Sequence, residues 1–148
     1  MITLDTKLNA ALNTQVANWS LLYTKLHRYH WYVTGPHFFT LHEKFEELYN
    51  EAAEVVDEMA ERILTIGGKP VASMKEYLEV ATLKENLDEK SAEKMVENLI
   101  SDYQHLRAEL KEITKLADEE EEPAVEDYAV GLINSLDKHI WMLNAYLG

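Results

Sequence analysis

Residues 41–63 read LHEKFEELYNEAAEVVDEMAERI, and the fold follows from how that stretch wraps around a helix. With Glu43 at the origin and about 100° per residue, Leu41, Phe45, Leu48, Ala52, Val55, Met59 and Ile63 gather between roughly 120° and 200°. That is one apolar face, and it calls for partner helices. Glu43, Glu47, Glu51, Glu54 and Glu58 fall between roughly 0° and 80°, a continuous carboxylate stripe. A second apolar strip, Tyr49, Ala53, Val56 and Ala60 together with His42, lies at roughly −140° to −80°, bordered by Glu46, Asp57 and Glu61. A helix of an isolated bundle needs one apolar face, and this one has two. The second suits another chain packing alongside, with the candidate metal ligands at the seam.

Those ligands come in pairs. His42-x-x-x-Glu46 and Asp57-x-x-x-Glu61 each place two donors on one helical face, and imidazole with carboxylate suits iron, manganese or zinc. Fifteen residues separate His42 from Asp57, roughly 22 Å at about 1.5 Å per residue. Metal–ligand bonds are about 2 Å, so one ion cannot be held by both pairs of one helix. Either there are two half-sites, or a second copy completes the site. A two-fold seam with antiparallel helices would bring His42 and Glu46 of one chain to Asp57 and Glu61 of the other, with His30 available to join. Against this stands the plainer reading of a surface histidine, a solvated acidic face and a core His30 on the stripe of Trp19, Tyr23 and Leu26. Asp102-x-x-His105 imitates a ferritin-like carboxylate–histidine motif but lacks a core-facing partner Glu, and reads as incidental.

Outward from this stretch, helical periodicity marks three more long segments. The first runs over 5–33, with Leu8, Leu12, Val16, Trp19, Tyr23, Leu26 and His30 on one stripe, and ends at Thr34-Gly35-Pro36. The second, 38–66, stops at Gly67-Gly68-Lys69-Pro70. Met74, Tyr77 and Leu78 suggest a short helix in the 67–90 connection. Ser91 caps a third helix carrying Met95, Leu99, Tyr103, Leu106, Leu110, Ile113 and Ala117. An acidic linker, Asp118 to Glu122, leads to Pro123 and a last helix with Val125, Tyr128, Leu132, Leu136, Ile140 and Leu143. The 67–90 segment is long enough to cross a bundle end to end; an up-down bundle with a decorated loop and an isolated coiled coil are the alternatives.

A chain of 148 residues is the size of one domain, 1–148. With no cysteine, thiolate metal sites, disulfides and cysteine nucleophiles are excluded. The first residues, Met1-Ile2-Thr3-Leu4-Asp5, lack a basic leader, and no run approaches the roughly 18 apolar residues of a membrane span, so a cytoplasmic location is expected. A net charge of −13 repels phosphate backbones and attracts cations.

Tyr29-His30-Trp31, Gly35-Pro36-His37-Phe38-Phe39-Thr40-Leu41-His42-Glu43, Asp57-Glu58-Met59-Ala60-Glu61-Arg62, Gly67-Gly68 and Leu136-Asp137-Lys138-His139-Ile140-Trp141 together resemble the Dps family of mini-ferritins. The resemblance implies an all-α, ferritin-like four-helix bundle with a short extra helix in the long crossover between the second and third helices. It implies a hollow homododecamer built from two-fold dimers, which oxidises Fe(II), with hydrogen peroxide preferred over dioxygen, and deposits Fe(III) oxide inside. Carried over residue by residue, a di-iron site shared between two subunits would take His30, His42 and Glu46 from one and Asp57 and Glu61 from the other. Many members have Asp where this chain has Glu46. Trp31 would lie beside the site as an electron donor, and carboxylates near the start of the last helix, Glu122 and Asp127, would line a three-fold iron pore. The stripe Glu43, Glu47, Glu51, Glu54 and Glu58 is the expected place of iron nucleation. The family's DNA binders use lysine-rich tails; only Lys7 precedes the body of the first helix, so direct DNA coating is not expected. A DNA-binding nucleoid protein is the alternative function, and a di-metal oxygenase would need core-facing Glu-x-x-His pairs that the sequence lacks.

Overall fold

The computed structural model describes residues 6–148. The expected helix start at residue 5 and the leader-free reading of residues 1–5 lie outside them. The helices are α1 (Lys7–Tyr32), α2 (Phe38–Thr65), α3 (Met74–Val80), α4 (Ala92–Glu119) and α5 (Pro123–Leu147), with no strand among the described residues. Every residue of the first apolar face of α2, from Leu41 to Ile63, is buried, and so is every residue of the α4 stripe. No helix of the described residues is long and apolar enough to cross a membrane.

Side-chain ties fix the connectivity. Along α1, the Asn13 carboxamide accepts from Val71 N at 2.8 Å and donates to Lys69 O at 3.1 Å. Asn18 Oδ1 accepts from the amides of Thr82 and Leu83 at 2.8 and 3.0 Å, Lys25 Nζ donates to Lys84 O at 2.8 Å, and Arg28 pairs with Glu89. Successively later residues of the crossover therefore meet successively later turns of α1. The 66–91 segment runs the length of the bundle beside α1, which excludes the up-down alternative. It delivers α4 at the C-terminal end of α1, while Glu120, at the far end of α4, accepts from Leu8 N at 3.1 Å. Accordingly α1 and α5 run one way, α2 and α4 the other.

These ties answer a backbone problem. Apart from α3, the crossover has no helix to satisfy its N–H groups, and a buried unpaired amide costs about as much as a lost hydrogen bond. Leu83 is 7% exposed, and Asn18, fully buried, supplies its acceptor. At α3, Ser73 Oγ accepts from Glu76 N at 3.2 Å and the Glu76 carboxylate accepts from Ala72 N at 3.1 Å, so one short turn is capped from both sides. The Ala72 amide, then the Ser73 hydroxyl, hold the Glu76 carboxyl below its ordinary value.

Both interhelical stops on the α2 and α4 side close in the same way. Gly67 N donates to Leu64 O and Gly68 N to Ile63 O, with Gly67 at φ 86°. A Cβ on Gly68 would lie 2.7 Å from Ile63 Cγ2, which explains the second glycine. Glu121 N donates to Asp118 O and Glu122 N to Ala117 O, but here the left-handed residue is Glu121, at φ 58°. Helix α4 therefore continues through Glu119, and the expected linker Asp118 to Glu122 contracts to Glu120–Glu122. A side chain in the left-handed region costs about 1 kcal/mol that glycine avoids. Glu121→Gly is expected to raise the thermal midpoint by an amount worth about 0.5 kcal/mol, the relieved strain less the cost of the more flexible unfolded chain. A midpoint that stays put or falls would show that Glu121 sits there without strain.

Candidate metal centre

The end of α1 and the start of α2 bring His30 and His42 face to face, rings stacked at 3.7 Å and 11°. Each Nδ1 lies 2.7 Å from the other residue's backbone oxygen, His30 to His42 O and His42 to His30 O. A carbonyl oxygen only accepts, so both Nδ1 atoms carry a proton, and in the neutral rings both Nε2 atoms present lone pairs. This is how proteins prepare imidazoles for a metal: the second nitrogen is tied to a backbone acceptor. Phe38 stacks on the other face of His42 at 4.9 Å and 21°, which further restrains the ring. Glu46 Oε1 lies 3.8 Å from His30 Nε2, and the carboxylate is half exposed. His30 is 7% exposed, a buried histidine on the α1 stripe, and its Nε2 lies 3.8 Å from the Glu46 carboxylate.

Asp57 and Glu61 do not reach this group within the chain. Both are exposed, on a later part of α2. Among the described residues no three His, Asp or Glu side chains of one chain assemble as a metal-holding cluster. The second apolar strip of α2 continues off the helix: Ala53 and Val56 line an apolar groove with Tyr23, Thr24, Met74 and Tyr77 from α1 and α3.

Trp31 follows His30 in the chain, and its ring turns to His27. The indole is 67% exposed and packs on His27 at 5.0 Å; His27 stacks on Tyr49 at 3.9 Å and 22°, and Tyr49 meets His30 edge-on at 5.3 Å. Tyr49, read from sequence only as part of the apolar strip, thus sits between the indole and the site. Lost hydration, and then the Glu46 carboxylate, raise its hydroxyl pKa.

The acidic stripe is not five equivalent carboxylates. Glu51 accepts from His139 Nε2 at 3.1 Å on both oxygens, and Glu58 accepts from Arg62 Nε at 2.9 Å. Glu47 lies 3.4 Å from Lys44, and Glu43 and Glu54 are exposed. Glu122 occupies the cap position of α5 without a side-chain capping bond, and Asp127 is exposed one turn on.

Residues 9–148 match the model of the ferritin-like domain family. The chain is 54% identical over 136 residues to DNA protection during starvation protein 2 of Bacillus anthracis, covering 92% of this chain and 93% of that protein. It is 51% identical to general stress protein 20U of Bacillus subtilis, covering 93% and 95% of the two chains. The crystal structure of Dps from Staphylococcus aureus superposes with a TM-score of 0.94 at 47% identity, over 99% of each chain. Helix order, the extra helix of the crossover and these likenesses agree: the chain belongs to the Dps family of ferritin-like proteins.

Proposed function

We propose that the protein is an iron-oxidising and iron-storing cage whose reactive centres lie between subunits. The observation that carries this reading is the reciprocal bonding of His30 and His42, which leaves the His30 Nε2 lone pair 3.8 Å from Glu46 with no second carboxylate of the same chain, among the described residues, to complete a cluster. Asp57 and Glu61 of a two-fold partner complete the set, and the groove beside Ala53 and Val56 is where that partner packs. Iron(II) is the substrate. Nitrogen and carboxylate donors hold it and favour its oxidised form, and peroxide takes one electron from each of two irons. His30 and His42 stay fixed as Nδ1–H donors to the backbone, so the ligand geometry does not depend on loop motion. Trp31 supplies an electron through His27 and Tyr49 when iron alone does not suffice. The net charge of −13 repels phosphate, which supports a chemical rather than a coating protection of DNA. Twelve subunits enclosing the product, in the cytoplasm, complete the proposal.

The test is anaerobic Fe(II) titration of the assembled protein with hydrogen peroxide, followed at the ferric absorption band. Two irons oxidised per peroxide, with dioxygen slower, is the expected result. Retardation of duplex DNA at low salt without iron oxidation would favour the nucleoid-binding alternative instead.

Iron nucleation belongs to the carboxylates of α2 that are not engaged by His139 or Arg62, hard donors suited to ferric oxide. Replacing Glu47 and Glu54 by Gln should slow mineral growth severalfold and leave the first oxidation phase unchanged. Equal loss of both phases would remove these residues from nucleation. Iron admission is assigned to Asp127, with Glu122, around a three-fold axis where repeated carboxylates concentrate cations. Asp127→Asn should slow uptake most at low Fe(II), and unaltered kinetics in an assembled cage would exclude it.

A further inference from the structure

The crossover meets α4 in a second group of donors, away from the histidine pair. Thr82 Oγ1, His105 Nε2 and Glu109 Oε2 form a triangle with edges of 2.7, 2.8 and 3.2 Å. For bonds of about 2.1 Å, the face of an octahedron has edges of about 3.0 Å. Three donors of neighbouring elements therefore already stand at the spacing that one cation would impose. Asp102, one turn before His105, takes no part: its carboxylate is turned to Lys25 Nζ at 2.5 Å.

The carboxylate of this triangle is held from behind. Glu109 Oε1 accepts from Gln15 Nε2 at 2.9 Å and from Asn18 Nδ2 at 2.8 Å, and these two residues are 1% and 0% exposed. Gln15 is itself fixed, its Oε1 accepting from Trp19 Nε1 at 3.1 Å. Outer-shell bonds of this kind orient ligands in metal sites. They leave Oε2 aimed at the triangle.

Proton accounting identifies what a cation would replace. The one hydroxyl proton of Thr82 goes to Glu109 Oε2, and its oxygen accepts from Asn18 Nδ2 at 2.8 Å. The remaining lone pair faces His105 Nε2, so that nitrogen carries a proton. Moving this proton to Nδ1 frees a lone pair on Nε2, and rotation of the imidazole and of the Thr82 hydroxyl, whose proton then leaves Glu109 Oε2, turns all three donors toward an ion above the triangle. The His105 and Glu109 side chains are 43% and 24% exposed, so an ion reaches them from solvent. One imidazole, one carboxylate and a hydroxyl suit a divalent first-row ion such as cobalt or zinc.

We propose that Thr82, His105 and Glu109 bind a single divalent transition-metal ion that fastens the crossover to α4, independently of the His30/His42 centre. The probe is Co(II), titrated by equilibrium dialysis into the assembled full-length protein and into variants. In the His30→Ala/His42→Ala chain one cobalt per subunit should remain at this site, and adding His105→Ala should abolish it. Glu109→Gln in the same background should weaken binding at least tenfold, and Thr82→Val should weaken it measurably. Crystals soaked in cobalt should show an anomalous peak bonded to His105 Nε2 and Glu109 Oε2. Retention of the cobalt in the triple variant, full affinity in Thr82→Val, or a peak found only in soaked crystals with no site in dialysis would each overturn the proposal. Because the first two histidines are absent from the test chain, failure here leaves the iron-oxidation reading standing, and the converse also holds.

Discussion

Cages assembled from a mixture of His30→Ala/His42→Ala chains and Asp57→Ala/Glu61→Ala chains are expected to oxidise Fe(II), although cages of either chain alone do not. A two-fold seam pairs the histidines of one chain with the carboxylates of the other, so each variant alone lacks part of both sites in every dimer. In a mixed dimer one site recovers His30, His42, Glu46, Asp57 and Glu61, while the other keeps only Glu46. Random pairing of equal amounts makes about half the dimers mixed, so about a quarter of the original sites return. The measurement is the initial rate of ferric absorbance per subunit, after co-refolding and after mixing preformed cages as a control. No recovery in co-refolded cages would place the site within one chain and sink the seam.

Removing one partner of the buried Lys25–Asp102 pair should be the most damaging single change to stability. The two charges meet at 2.5 Å, at 3% and 8% side-chain exposure, between α1 and α4. Burial raises the pKa of the Asp102 carboxyl and Lys25 pulls it back down, so the pair persists only because each charge offsets the cost of the other. Asp102→Ala leaves an ammonium in the bundle with only the Lys84 carbonyl for company, and should cost about 3–5 kcal/mol. Lys25→Met combined with Asp102→Leu removes both charges at similar volume and should cost much less. Thermal midpoints of the two variants give the comparison. A single variant as stable as the double would mean that water reaches Lys25.

The apolar pattern of residues 41–63 was enough to place the core, because a buried helix face repeats every three or four residues whatever its partners are. It also exposed the second strip, the face on which we propose that a second chain packs. The histidine pair could be suspected from His30 and His42, but the backbone bonds that set both tautomers required the turn at Gly35 to bring 30 and 42 together. Buried Gln15, Asn18 and Lys25 were invisible. Their partners on the crossover and α4 lie 59 to 94 residues away, and a polar side chain on α1 carries no local mark of what it binds. Asp102-x-x-His105, read as incidental, does not act as a pair: Asp102 and His105 serve different neighbours. The rings of His27 and Tyr49 that link Trp31 to His30 are again a matter of tertiary packing.

The ties from Asn13, Asn18, Lys25 and Arg28 to the crossover have an evolutionary corollary. Connections between helices are ordinarily where families gain and lose residues. Here the stretch from Lys69 to Lys84 has a register against α1, much as a strand has against its neighbour: adding one residue would move Thr82 and Leu83 off Asn18 while Val71 stayed on Asn13. Length variation among relatives should therefore collect in 85–88, between the Lys84 and Glu89 anchors, and a chain lengthened between 72 and 81 should be found only where a second change has reset the fastening points.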